Sequence, residues 1–171
     1  MKKITLFIFL LTISMGFSQN APMNFETPGE GANWTWIVGA DGTNPALEFV
    51  ANPNTTGINS SSTVAKFIAE VAGEEYALAI SENIGVFTLN STNSLVKMMV
   101  RKDVASDVAV KLEGPAIARE IRVPSTVING DWVELTFDFV ADEGKVVNKL
   151  VIIPDFVVGK RTSDHIVYFD N

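Results

Sequence analysis

The chain has 171 residues, no cysteine, and 13 basic against 20 acidic residues, for a net charge of -7. That acidity excludes the basic footprint by which proteins meet nucleic acid or anionic membrane surfaces, and it favours a neutral or cationic partner. The absence of cysteine excludes a disulfide framework, a thiol nucleophile and a lipid-modified cysteine, so stability has to come from a packed core.

The chain begins with a leader. Lys2 and Lys3 form a positive segment, Ile4 to Ile13 an apolar run, and Ser14-Met15-Gly16-Phe17-Ser18-Gln19 a polar one. This is the layout of a cleaved secretory signal peptide over residues 1–19, cut near Ser18 to Asn20. The apolar run is shorter than the ~20 residues of a bilayer span, and no later stretch replaces it. The expectation is a secreted or cell-surface protein without membrane insertion. The leader takes two of the 13 basic residues and no acidic one, leaving 11 against 20 and a net charge of -9. Residues 20–171 make one domain, expected to be a monomeric module. Because the sequence stops at Asp170-Asn171 inside a final strand, it reads as the N-terminal part of a longer protein.

Beyond the leader, apolar residues recur with a period of two between clusters of Gly, Pro, Asn, Asp and Ser, which predicts strands. In chain order these fall at Met23 to Glu26, Trp34 to Val38, Ala46 to Val50, Val64 to Ala69 and Tyr76 to Ile80. Next come Val96 to Arg101, Asp107 to Glu113, Ile117 to Val123, Val133 to Phe139, Lys149 to Ile153 and His165 to Asp170. Val96, Met98 and Val100, then Val108, Val110 and Leu112, then Val133, Leu135, Phe137 and Phe139 each mark a core-facing side. Lys97 and Arg101 oppose the first set and Lys111 and Glu113 the second, as polar faces of two adjacent strands. This many short strands in one domain predicts an all-β fold, a two-sheet β-sandwich of the jelly-roll kind. The sequons at Asn33, Asn54, Asn59 and Asn90 read as loops.

Catalytic signatures are weak. The single histidine, His165, stands in a contiguous Ser163-Asp164-His165 run, whereas a working triad is assembled in space from separated elements. One histidine and no thiol disfavour zinc. Gly29-Glu30-Gly31 and Gly39-Ala40-Asp41-Gly42 lack the features of a phosphate loop. A glycosidase requires two carboxylates across a cleft, for which Asp138 and Asp155 are the best candidates.

Binding signatures are richer. Trp34 and Trp36 share one face if their segment is extended, and sugars stack their C–H faces on such rings. The competing reading is that the pair fills the core. Trp132 either packs in the core or caps the end of the sandwich. Tyr76, preceded by Glu75, offers a ring beside a carboxylate, and Lys111 and Glu113 offer polar partners. A hard cation is the other candidate: Glu26 ends the first strand and Asp170 the last, and chain ends often lie together. Together with carbonyls of the Asn52–Gly57 loop, these carboxylates suit calcium.

Several segments, in order, carry a likeness to known proteins: Met23-Asn24-Phe25-Glu26, Val50-Ala51-Asn52-Pro53, Gly57-Ile58-Asn59-Ser60-Ser61, Val64-Ala65-Lys66, and Val108 to Glu113. Gly130 to Phe139, Ile152-Ile153-Pro154-Asp155-Phe156 and Val167-Tyr168-Phe169-Asp170 complete the set. Across the whole of 20–171 the chain resembles the galactose-binding-like jelly-roll modules, related to carbohydrate-binding modules, of secreted and surface polysaccharide-utilisation proteins of Bacteroidetes. The resemblance implies a structural Ca2+ held near the chain ends by Glu26 and Asp170. It also implies a non-catalytic role, in which the module targets an attached enzyme or surface protein to a polysaccharide or oligosaccharide such as a β-glucan. It departs at Glu75-Tyr76-Ala77, where such modules often carry a Trp-Gly-like pair. The alternatives are a structural or adhesion module with no sugar ligand, and a glycoside hydrolase.

Overall fold

The computed structural model describes residues 23–26, 30–39, 44–125 and 130–171; the leader expected over 1–19 lies outside the described residues. Among the described residues, twelve strands follow in order: β1 Ile37–Val38, β2 Glu48–Ala51, β3 Thr63–Ala69, β4 Ala79–Ser81, β5 Phe87–Thr88, β6 Leu95–Lys102, β7 Ser106–Gly114, β8 Ile117–Ser125, β9 Val133–Asp138, β10 Val146–Val147, β11 Lys149–Phe156 and β12 His165–Asp170. Ten of them form two five-stranded antiparallel sheets. Sheet A runs β1-β4-β11-β7-β8 and sheet B runs β2-β3-β12-β6-β9, while β5 and β10 pair separately. The fold is the expected two-sheet β-sandwich.

The period-two pattern decides which side chains meet between the sheets. On β7, Val108, Val110 and Leu112 are buried, and on β12 so are Val167 and Phe169. They join Phe67, Met98, Val100, Leu135, Phe137, Phe139, Leu150 and Ile152 in one apolar cluster between the two inner faces. At about 25 cal/mol per Å2 of apolar surface, such a layer is the dominant favourable contribution to folding.

The N-terminal segments depart from expectation. Met23 to Glu26 is no strand: Phe25 takes a left-handed φ of 47°, and the amides of Asn24 and Phe25 both donate to the Glu30 carbonyl. That conformation costs a bulky residue roughly 1 kcal/mol or more. Packing offsets it, because the ring is fully buried, stacked on Phe49 and edge-on to Phe169, each at 5.5 Å. Of Trp34 to Val38 only Ile37 and Val38 pair, since Trp34 closes a turn on the Gly31 carbonyl. Ladder pairing of the Tyr76 to Ile80 segment starts at Ala79, and Glu75 and Tyr76 sit in a turn. The two-residue strands β5 and β10 are too short to show a period in the sequence. β6 and β7 lie in different sheets. Lys97 and Arg101 are therefore on the opposite side of the molecule from Lys111 and Glu113, not beside them.

At the end of β7 the chain passes so close to β10 that a Cβ built on Gly114 would overlap the Val146 carbonyl oxygen. Gly114→Ala should therefore destabilise the protein by roughly 1–3 kcal/mol. Urea unfolding measures this, and an unchanged midpoint would mean that the two strands separate without cost.

Candidate functional site

The outer faces of the two sheets differ. On sheet A the residues of β11, β4 and β7 that alternate with the core set form an apolar strip in which Ala109, Val151 and Ile153 are buried and Leu78, Ile80 and Phe156 pack half-exposed against them. Strand register lines these side chains up. Ile37, Ile80, Val151, Lys111 and Glu120 form one row across all five strands, and Ile153, Ala109 and Arg122 form part of the next. Charged groups border the strip. Lys111 and Glu113 are 2.5 Å apart, Lys149 reaches Glu113 at 3.7 Å and Glu82 at 3.0 Å, and Arg122 holds Glu120 at 2.5 Å. The Arg122 guanidinium also lies 3.6 Å from the centre of the Phe156 ring. The Lys111 ammonium beside Glu113 holds that carboxyl below its usual range.

Glu75 and Tyr76 occupy the Phe156 end of this face. The Glu75 carbonyl accepts the Val157 amide at 3.2 Å and its carboxylate accepts the Gly159 amide at 2.7 Å. Tyr76 is 44% exposed.

The expected tryptophan pair sits instead at the β1/β2 side of the sandwich. Trp34, 9% exposed, stacks on Trp36 with ring centroids 5.9 Å apart, and Trp36 leans on Phe25 at 6.1 Å. Both indole N–H groups are committed, Trp34 to the Glu30 carboxylate at 2.9 Å and Trp36 to the Gly31 carbonyl at 2.8 Å. Trp34 thus fills the core, and Trp36 is half-buried at its edge.

The outer face of sheet B is covered in part by its own loop. Trp132 is buried there with Val64 and Met99, against Val50 and Tyr168. Its N–H reaches Asn54 O at 2.7 Å and Asn52 Oδ1 at 3.2 Å, which draws the loop after β2 down over the sheet. Arg101, bonded to the Gly130 carbonyl, lies over the Tyr168 ring at 5.5 Å.

At the corner of sheet B the two chain-end carboxylates come together. Asp170 is fully buried and neither of its carboxylate oxygens has a hydrogen-bond partner; the Asn59 Nδ2 is orphaned as well. Burial, with the Glu26 charge adding to it, pushes the Asp170 carboxyl up, although Ser61, the Asn171 amide and Asn59 stand near enough to oppose the shift. Glu26 accepts the Ser62 hydroxyl at 2.6 Å and the Ser62 and Thr63 amides at 2.7 and 3.1 Å; the Ser62 hydroxyl is the largest influence lowering its pKa. A buried, unpartnered carboxylate beside a second carboxylate fits a hard cation. The loop residues closest to it are Asn59 and Ser61, whereas the Asn54 carbonyl expected to contribute is taken by Trp132. No group of three or more His, Cys, Asp or Glu among the described residues gathers at one point, so amides and carbonyls would complete the shell.

The two acids weighed for hydrolysis are held elsewhere. Asp138 is exposed and caps the Val140 amide at 2.8 Å. Asp155 is buried at the centre of an ionic cluster, bonded to Arg161 Nε at 2.8 Å, to His165 Nδ1 at 2.9 Å and to the Ser106 hydroxyl. Lys102 lies 4.0 Å away and donates to Ser106 O at 2.8 Å and Pro154 O at 3.4 Å. Arg161 also donates to the carbonyls of Glu74 at 2.7 Å, Glu75 at 3.3 Å and Asp155 at 2.7 Å, pinning the Glu75–Tyr76 turn from beneath. His165 is therefore a buried partner of Asp155 and not a surface residue. Sequence alternation has no means of showing this cluster, because its members are isolated polar residues at strand ends and in the loop that carries Arg161.

No protein-family model matches the chain, and no curated protein matches it in sequence. Its fold does recur. The structure of TmCBM61 in complex with beta-1,4-galactotriose superposes with a TM-score of 0.51 at 12% identity, covering 90% of this chain and 94% of that one. A family 29 carbohydrate-binding module, CBM29-2, gives a TM-score of 0.43 at 9% identity over 80% and 89% of the two chains. A CBM4 structure gives 0.43 at 15% identity over 79% and 82%. The first of these establishes a shared two-sheet fold.

Burial lowers the Lys102 pKa to about 8, against 10.5 for a free lysine, with Asp155 and Asp107 opposing the shift. A depressed pKa means that the unfolded chain binds the proton more tightly, so stability should rise as pH increases from about 8 toward 10.5 and stay lower below that window. Lys102→Met removes the buried cation and should flatten this segment of the stability–pH curve. Urea unfolding across the window checks it; equal slopes in the variant and the parent would exclude a titrating Lys102.

Proposed function

We propose that the protein is an exported, non-catalytic glycan-binding module that receives a polysaccharide or oligosaccharide, a β-glucan foremost, on the outer face of sheet A. The observation that carries this reading is the half-buried Leu78, Ile80 and Phe156, which pack over the buried Ala109, Val151 and Ile153 and are bordered by ion-paired Lys111, Glu113 and Lys149. Sugars offer apolar C–H faces and outward hydroxyls, and a surface that pairs an apolar floor with fixed polar groups meets both needs. Tyr76 and Glu75 extend the face at its Phe156 end. Trp36, on the core side of β1 where Ile37 joins the outer row, would offer a ring at the edge of the sandwich and not on this face, with Trp34 behind it in the core. An attached enzyme or surface protein would be carried to its polysaccharide by this face. Two features of the acids support a role without catalysis: Asp155 is spent on Arg161 and His165, and Asp138 on capping a turn.

Affinity electrophoresis through gels containing β-glucans, β-1,4-galactan or mannan tests the proposal. Retardation by at least one polysaccharide is expected. Lys111→Ala, Glu113→Ala and Tyr76→Ala should each weaken it about tenfold, the order expected for one charged hydrogen bond or one ring contact. Trp34→Ala should chiefly lower the melting temperature. The burial of Trp34 and Trp132 favours the alternative of a spacer or adhesion module, and an absence of retardation on every gel would count against glycan binding by this face.

We further propose that Glu26 and Asp170 hold a structural Ca2+, which would supply the positive charge that the buried Asp170 carboxylate lacks. The raised folded pKa of Asp170 means that, without the cation, its contribution to stability is complete below the ordinary value of 3.8 and is lost as pH rises through the folded value. Calcium should reverse this trend. Melting curves at neutral pH should therefore move down on adding chelator, and Asp170→Asn should raise the melting temperature of the chelated protein while abolishing its response to calcium. Identical melts with and without calcium would remove the site.

A further inference from the structure

Strand β8 is nine residues long and lies at the edge of sheet A, paired among the described residues with β7 alone. Residues in an antiparallel ladder alternate between those that bond to the partner strand and those whose main-chain groups point away from it. The hairpin joining β7 to β8 has only Pro115 and Ala116 between the paired Gly114 and Ile117, and the register then runs without a shift to Ser106 and Ser125. The two-residue connection makes Gly114 and Ile117 a bonded pair. The odd-numbered residues of β8 therefore bond to β7, and Ala118, Glu120, Arg122 and Pro124 turn their main-chain groups to the open edge. Pro124 fits this assignment, since proline has no N–H and is tolerated in a strand where that position faces outward.

The side chains on this edge are not random in sign. From Ala118 to Pro124 the sequence is Ala-Arg-Glu-Ile-Arg-Val-Pro, and a two-fold axis through Ile121 sets Glu120 of one strand opposite Arg122 of an antiparallel copy. The two residues lie on the same face of the sheet and already attract one another within the chain at 2.5 Å. By symmetry the cross-strand pair forms twice. The same axis makes Glu120 and Arg122 a bonded pair that exchanges both main-chain hydrogen bonds, and it sets the Ala118 amide opposite the Pro124 carbonyl. The missing proline donor then costs only one of the bonds at each end.

We propose that β8 is a homodimerisation edge: two copies of this chain join antiparallel about Ile121, merging their A sheets into one continuous sheet. The interaction is isologous, and its complementarity of Glu120 to Arg122 gives it both register and direction. The merged sheet places two outer faces side by side in one plane, so a partner with repeated binding units would meet both at once. The dimer itself does not depend on what those faces bind.

Sedimentation equilibrium over a dilution series of the chain tests the inference. A dimer that dissociates on dilution is expected. Arg122→Glu opposes Glu to Glu twice and should make the protein monomeric throughout, while the double swap Glu120→Arg with Arg122→Glu should restore the parent dimer. Glu120→Pro removes an outward-facing donor at a position not used by β7, so it should also give a folded monomer, with circular dichroism confirming the sheet. A parent chain that is monomeric at every concentration would overturn the proposal. So would a dimer that survives both Arg122→Glu and Glu120→Pro, or a double swap that fails to dimerise although folded.

Discussion

The inner faces of the two sheets meet in a layer built from Phe67, Phe137, Phe139 and Phe169 with Val100, Val108, Val110 and Ile152, all nearly or fully buried. With no cysteine to staple the sheets, this contact decides where everything else stands. It fixes β7 and β11 side by side, and so lifts Lys111, Glu113 and Lys149 to one border of an apolar outer strip. It also fixes β12 in the middle of sheet B, which brings Asp170 to the same corner as Glu26. Neither the candidate glycan face nor the candidate cation corner is a self-contained motif; each is the reverse side of core packing.

The strands that a reader of the sequence finds most easily are those in which one side is uniformly greasy and the other uniformly polar. Leu135-Phe137 against Glu134-Thr136-Asp138 is such a case, and Val108-Val110-Leu112 against Asp107, Lys111 and Glu113 comes close, broken only by Ala109. Where the outer side is apolar too, the pattern loses its contrast. Val151 and Ile153 alternate with Leu150 and Ile152, all four are buried, and nothing in the sequence says which pair faces the other sheet. The strip that best supports binding is hidden for that reason. Around Trp34 and Trp36 the failure has another cause: the turn at Gly31 and the left-handed Phe25 take those residues out of any strand, and tertiary packing overrides local period.

Buried charge marks a second limit of sequence reading. His165, Asp155, Arg161, Lys102 and Ser106 come from several strands and a loop, and only the folded chain gathers them. Their number of mutual bonds explains why so much polarity is tolerated inside: every partner of Asp155 is a donor, and Arg161 directs its remaining donors to the Asp155 carbonyl and to main-chain carbonyls of the turn that carries Tyr76. Removing one member would leave a desolvated group unpaired, which is the expensive case.

The stacked indoles of Trp34 and Trp36 have a consequence of a different kind. Two stacked chromophores 5.9 Å apart and inclined by 28° share their electronic excitation, so the folded protein carries an optical gauge of the packing of Phe25, Trp34 and Trp36. Trp132, on the outer side of sheet B, is held apart from that pair by its bonds to Asn52 and Asn54. Exciton coupling between Trp34 and Trp36 therefore reports on the β1 side of the sandwich without any label being attached.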